Sequence, residues 1–124
     1  VSVEDGLTVY ADRNMFNTVV RNLLSNSVKF SRPGGVIKIG AEPDQKHIRF
    51  FVSDEGIGIP KSELGNLFRV DAHFSREGTA GESGTGLGLI LCNEYITKNG
   101  GRIWAESEEE KGTAFYFTLP QSAP

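Results

Sequence analysis

Glycine decides where regular structure can form in this chain. Most of its fifteen glycines fall in five places: Gly34-Gly35, Gly56/Gly58, Gly78 to Gly88, Gly100-Gly101 and Gly112. Glycine has the least restrained backbone of any residue, so such clusters interrupt helices and strands. Each regular element must therefore lie between them. Asp12 can cap a helix running to Phe30 or Ser31, with Phe16, Val19, Val20, Leu23, Leu24 and Val28 at helical spacing. Leu7 to Tyr10 reads as a short strand before it, and Arg32-Pro33-Gly34-Gly35 as the turn after it. Val36 to Glu42 alternates as a strand does, Pro43-Asp44-Gln45 reads as a turn, and His47 to Ser53 reads as a second strand ending near Asp54.

Pro60 can open a short helix through Phe68, with Leu64, Leu67 and Phe68 on one side. The following stretch, Arg69 to Ser83, is polar and has no period. A loop of that length inside a compact domain is characteristically a lid or a binding loop, here placed at about residues 69–84. Leu87 to Asn99 reads as a helix with Leu87, Ile90, Leu91 and Tyr95 inward, capped by Gly100 or Gly101. Arg102 to Glu108 and Thr113 to Leu119 form an antiparallel pair joined by Glu109 to Gly112, and residues 121–124 fray. This order predicts one α+β domain over residues 1–124. Its form is a two-layer sandwich, a mixed and mostly antiparallel sheet with helices on one face.

Composition excludes several roles. With a net charge of -3 and scattered basic residues, the chain lacks the basic stripe of a nucleic-acid binder. No apolar run approaches the ~20 residues of a membrane span, and Val1 to Tyr10 shows no signal-peptide pattern. The expectation is a cytoplasmic domain without direct membrane contact, whether or not its parent is anchored to a membrane. Cys92 is the only cysteine, so neither an intrachain disulfide nor a cysteine-based metal site is available.

Three clusters carry chemistry. Asn22, Asn26 and Lys29 share one face of the long helix. A polar face is ordinarily solvated, but asparagine is a weak helix former, and its amide oxygen is a hard, neutral ligand suited to Mg²⁺. Asp54-Glu55-Gly56-Ile57-Gly58-Ile59-Pro60 follows a strand. Its carboxylate can accept from an exocyclic amine such as adenine N6, and its glycines allow close backbone approach; a capped glycine turn is the plain alternative. Gly84-Thr85-Gly86-Leu87-Gly88-Leu89 opens a helix, whose free N–H groups and dipole favour anions. It is neither a Rossmann fingerprint, since Leu89 stands where the third glycine belongs, nor a P-loop, since Gly-Lys-Ser/Thr is absent.

Taken in order, these clusters resemble the boxes of sensor histidine kinases. Asn22-Leu23-Leu24-Ser25-Asn26-Ser27-Val28-Lys29-Phe30 resembles the N box, Asp54 to Gly58 the G1 box, and Leu67-Phe68 the F box. Gly84 to Leu89 resembles the G2 box, Lys111-Gly112-Thr113-Ala114-Phe115 a last, G3-like box, and Gly101-Arg102-Ile103-Trp104 is also typical. The resemblance spans about Leu7 to Pro120 and implies the Bergerat (GHKL) sandwich shared with gyrase, Hsp90 and MutL.

By that resemblance Asn26 binds Mg²⁺, Asn22 and Lys29 face the phosphates, and Phe30 lies near adenine. Asp54 reads the adenine, with Gly56 and Gly58 close beside it, and Thr113 stands at the pocket edge. Gly84, Thr85, Gly86, Leu87 and Gly88 wrap the phosphates, and Arg69 and Arg76 balance γ-phosphate charge from the lid. One departure is Ser27, where the family usually has Ala; a bond to the carbonyl one turn back would accommodate its hydroxyl. His47 and His73 lack the helical His-acid setting of a phosphoacceptor. The implied activity is therefore transfer from Mg-ATP to a histidine on a separate dimerisation and phosphotransfer domain, with a response regulator downstream. The isolated domain is expected to be a monomer and its parent a homodimer. Gyrase- and Hsp90-type relatives carry a Glu four residues before the Mg²⁺-binding Asn; Asn22 stands there instead. That disfavours the alternative of a self-sufficient ATPase, and intact boxes disfavour a degenerate nucleotide-binding or interaction module.

Overall fold

The computed structural model describes residues 9–31, 34–64, 67–68, 76–77, 83–84, 87–108 and 110–122, with backbone alone at residues 30, 62–63, 76–77, 83–84 and 87. Helix α1, Arg13–Phe30, starts where the Asp12 side chain accepts from the Met15 N–H at 2.9 Å, satisfying an orphan donor of the first turn. Strands β1 (Ile37–Asp44) and β2 (His47–Asp54) form a hairpin around Gln45-Lys46. Gln45 supplies the positive φ of that tight turn, at 58°. Pro43 and Asp44 therefore belong to β1 rather than to the predicted turn. A proline is tolerated there because β1 is an edge strand.

Helix α2 covers only Lys61–Leu64, so the helix expected to reach Phe68 stops early, and Leu67-Phe68 is a turn. Within the expected lid, β3 (Arg76–Glu77) pairs antiparallel with β4 (Ser83–Gly84). Helix α3, Leu87–Lys98, ends in a left-handed Gly100 (φ 84°). There the Gly101 N–H reaches the Ile96 carbonyl and the Gly100 N–H the Thr97 carbonyl, the paired bonds of a Schellman cap. Strands β5 (Ile103–Glu108) and β6 (Gly112–Pro120) close the chain. The sheet order is β1-β2-β6-β5, and every pairing among the described residues is antiparallel, where a mixed sheet was expected. Val9 and Tyr10 are not in a strand; Tyr10 N–H instead makes one bond to the Pro120 carbonyl at 2.8 Å. Leu7 lies outside the described residues.

Helices α1 and α3 pack on each other and on one face of the sheet. In β2 every second residue is buried, the two-residue period of a strand covered on one side. Ile48, Phe50 and Val52 thus face Val19 and Leu23 of α1, Cys92 and Ile96 of α3, and Phe115, Phe117 and Leu119 of β6. Phe16 meets Phe50 edge-on at 5.3 Å, and Phe50 stacks on Phe117 at 4.8 Å, geometries that aromatic quadrupoles favour. On the helix-free face Trp104 stacks on Tyr116, and Arg102 lies 4.4 Å above the Trp104 ring.

Two sequence assignments change. In α3 the buried residues are Leu89, Cys92 and Ile96, while Ile90, Leu91 and Tyr95 are half-buried and the Leu87 side chain lies outside the described set. In α1 the inward line runs Val19, Leu23, Ser27, each step one turn of four residues. Val28, expected inward, is 65% exposed. Leu23→Ala should lower unfolding free energy by about 2–5 kcal/mol, because it removes a fully buried side chain. Val28→Ala should change it by less than about 0.5 kcal/mol. Urea denaturation of both variants checks the contrast, and equal losses would refute the assigned face of α1.

Candidate functional site

The alternation of β2 carries an acid inward at the strand's end. Asp54 is its last residue, faces the buried side and is only 8% exposed. Burial holds its carboxyl above the usual carboxylate range, because a charge there loses its hydration. The backbone N–H groups of Gly56 and Thr113 and the Ser27 hydroxyl oppose that shift by favouring the charged form. Asp54 Oδ1 is nonetheless buried without a hydrogen-bond partner, and so is Ser27 Oγ. Ser27 therefore does not dispose of its hydroxyl on the carbonyl one turn back; it lies beside the acid instead.

The backbone around Asp54 is fixed from three sides. Asp54 is in register with Ile37 of β1 and Thr113 of β6. Ser31, just past α1, forms an isolated antiparallel bridge with Gly56. Gly112 has φ 129°, and a Cβ there would overlap the Asp54 carbonyl oxygen, so only glycine lets β6 begin so close to β2. Ser107 ties these parts together. Its hydroxyl donates to the Gly112 carbonyl at 2.9 Å and accepts the Ile59 N–H at 2.8 Å. With that proton committed, Thr113 Oγ1 donates to Ser107 Oγ across 2.9 Å. Sequence reading missed Ser107 because it belongs to no glycine cluster; its position opposite Thr113 emerges only from strand register.

The polar face of α1 is only partly solvated. Asn22, Asn26 and Lys29 are all half-buried. A Cβ built on Gly88 would stand 3.4 Å from Asn22 Oδ1, so Asn22 sits at the opening turn of α3. The buried Cys92 thiol is pushed up to about 12 by desolvation, against a smaller opposing hydrogen bond from the Asn22 side chain. Ser27 beside Asp54 and Asn22 beside Gly88 are five residues apart on one helix, about 7.5 Å along its axis. The structure thus brings Asn22, Asn26, Asp54, Gly56, Gly58, Gly88 and Thr113 to one end of the sheet. Of the other sequence-assigned residues, Arg69, Thr85 and Gly86 lie outside the described residues, as does the side chain of Phe30. Arg76 and Gly84 are placed by backbone as register partners in the β3–β4 ladder, and Leu87 as the first residue of α3.

A shallow hollow of about 380 Å³ lies at this end of the sheet, lined by Asp54, Ser107, Gly112 and Thr113 together with Ser53, Glu106 and Ala114 of the helix-free face, and by no described residue of α1 or α3. A larger one, about 850 Å³, lies at the other end of β2 and β6, between Tyr10, His47, Lys98 and Pro120. Size does not select between them. What marks the Asp54 end is the pair of buried, partnerless oxygens of Asp54 and Ser27 on the helix-covered face.

The sequence model of the histidine kinase-, DNA gyrase B- and HSP90-like ATPases matches residues 11–123. The chain belongs to this family. As a member of this ATPase family it is 37% identical over 91% of its length to the adaptive-response sensory kinase SasA of Synechococcus elongatus. It is 37% identical over 92% to the sensor histidine kinase WalK of Bacillus subtilis. It spans 29% and 19% of those two proteins, less than a third of either. Among solved structures, the catalytic domain of the histidine kinase ThkA superposes with a TM-score of 0.81 at 32% identity, covering 98% of this chain and 78% of that one. Full-length ShkA, solved in complex with AMPPNP, shares the fold at a TM-score of 0.75 and 24% identity, over 99% of this chain and 26% of that one.

Burial of Asp54 has a consequence for the stability of this ATPase-family domain. A carboxyl whose folded pKa is raised binds more protons folded than unfolded, so stability falls as pH rises through the range between the two values. Asp54→Asn should therefore raise the melting temperature at pH 7, with the gain vanishing as pH drops below the ordinary carboxylate range. Thermal unfolding across pH 3.5 to 7, an interval set by about 3.9 for a free Asp, measures it. A variant less stable than the parent at pH 7 would contradict the burial argument.

Proposed function

We propose that this domain binds ATP with Mg²⁺ between α1, the Asp54 rim and the start of α3, and donates the γ-phosphate to a histidine on a separate dimerisation and phosphotransfer domain. The observation that carries this reading is the buried Asp54 carboxylate beside the same helix that carries Asn26 and Asn22. A charge shielded from water and short of a partner suits an exocyclic amine, which brings the missing donor. About 7.5 Å along α1 from Ser27, Asn22 adjoins Gly88, a separation of the scale between a nucleotide's base and its phosphates.

Roles for the remaining residues follow from their chemistry. Asn26 offers an amide oxygen to Mg²⁺, which in nucleotide sites retains waters and shares phosphate oxygens. Among the described residues no three His, Cys, Asp or Glu side chains converge on one point. The donor set thus fits an ion that arrives with the nucleotide. Lys29, one turn beyond Asn26, is placed for phosphate oxygens, and the α3 N-terminus presents free N–H groups to them. Thr113 borders the base, while Arg69 and Arg76 supply charge to the γ-phosphate. In the transfer, the acceptor imidazole nitrogen bonds to the γ-phosphorus as the bond to the β–γ bridging oxygen breaks and ADP leaves. Asn22 cannot take a proton from water near neutral pH, so hydrolysis without the acceptor is slow. A response regulator then takes the phosphoryl group from the acceptor histidine of the parent, which works as a homodimer. No helix of the described residues is long and apolar enough to cross a membrane, in keeping with a domain acting in the cytoplasm.

Isothermal titration with ATP and Mg²⁺ tests the binding. Asp54→Asn should weaken ATP by about 10- to 100-fold, the loss of one hydrogen bond to a charged group. Asn26→Ala should remove only the Mg²⁺-dependent part of the affinity. Mixing the domain with the parent's histidine-bearing domain should yield acid-labile phosphate. No heat with millimolar nucleotide would falsify the reading.

A further inference from the structure

Ser27 presents an unusual combination. It is fully buried on α1, and its hydroxyl has no hydrogen-bond partner. A helix-interior serine normally returns its hydroxyl to the carbonyl one turn back or turns it to solvent. Neither occurs here. Alanine would fill the same space without burying an orphan donor, so packing does not account for the serine. Its neighbour has the complementary deficit: Asp54 Oδ1 is buried and without a donor, although the Gly56 and Thr113 N–H groups face the carboxylate. An unpaired donor thus lies beside an unpaired acceptor. Only small torsions separate them from a bond, because the hydroxyl rotates freely and the terminal torsion of aspartate is broad.

We propose that Ser27 is a positioning residue for base recognition: its hydroxyl locks the Asp54 carboxylate in the orientation that receives the exocyclic amine of adenine. This rests on the reading of Asp54 given above. The Ser27 hydroxyl is itself enclosed, so it acts through Asp54 rather than by touching the nucleotide. Its contribution therefore depends on the amine being present. A nucleotide lacking that amine gains nothing from an oriented carboxylate.

The experiment titrates wild type and Ser27→Ala with ATP and with purine riboside triphosphate, which lacks only the exocyclic amine. Ser27→Ala should weaken ATP by about tenfold, the scale of one hydrogen bond, and leave the analogue within about twofold. Its melting temperature without nucleotide should equal or exceed that of wild type, since the hydroxyl is unpaired there. Equal weakening of both nucleotides with a lower melting temperature would assign Ser27 a merely structural role and overturn the proposal. Unchanged ATP affinity would overturn it too, while leaving the Asp54 reading intact. A wild-type domain that fails to prefer ATP over the analogue would remove both.

Discussion

A carboxylate at the closed end of a strand must be given donors, or its charge is expensive to keep. Asp54 receives part of what it requires: two backbone N–H groups face it, an adjacent hydroxyl lies beside it unpaired, and one oxygen is left over. The rest of the site is arranged around that shortfall. Gly112 permits β6 to approach closely enough for Thr113 to face Asp54, and Ser107 fixes the loop through Ile59 and the start of β6. Local rules broken without compensation inside a fold are commonly functional sites, where stability is given up for binding. Here the broken rule is a buried acid with incomplete hydrogen bonding.

Helix α1 serves the core and the site with adjacent faces. Val19 and Leu23 pack against Phe50, Phe117 and their neighbours, and one turn further the same line delivers Ser27 to Asp54. Beside that line, Asn22 meets the opening turn of α3. The aromatic packing that stabilises the sandwich therefore also sets the distance between the carboxylate and the amides. Rotating α1 to improve one contact would disturb the other.

Several elements were legible because one local rule dominated them. Asp12 before an apolar helical period gave α1 its start, and the Ile-, Phe- and Val-rich run from His47 gave β2 its extent up to Asp54, whereas the alternating burial that turns Asp54 inward came from the packed sheet. Local rules were insufficient elsewhere. Helix α3 is apolar on several sides, with Leu87, Leu89, Ile90, Leu91, Cys92, Tyr95 and Ile96, so periodicity could not choose Leu89, Cys92 and Ile96 as the buried set. Val28 fits the helical period but falls off the stripe because Ser27 takes the inward place. The hairpin turn was misplaced by one or two residues because an edge strand tolerates proline.

The sequence by itself determined the segments, the glycine breaks and the order of the asparagine, acid and glycine clusters, because backbone freedom and hydrophobic period act over a few residues. It also placed Asn22 and Asn26 on one helix and Asp54 at a strand end. Only the tertiary structure decided that Ser27 lies beside Asp54, that Ser107 closes the loop through Ile59 and that Asn22 meets Gly88. Those contacts join residues tens of positions apart. They depend on strand register and on the rotation of α1 against the sheet, and both are set by how the whole core packs.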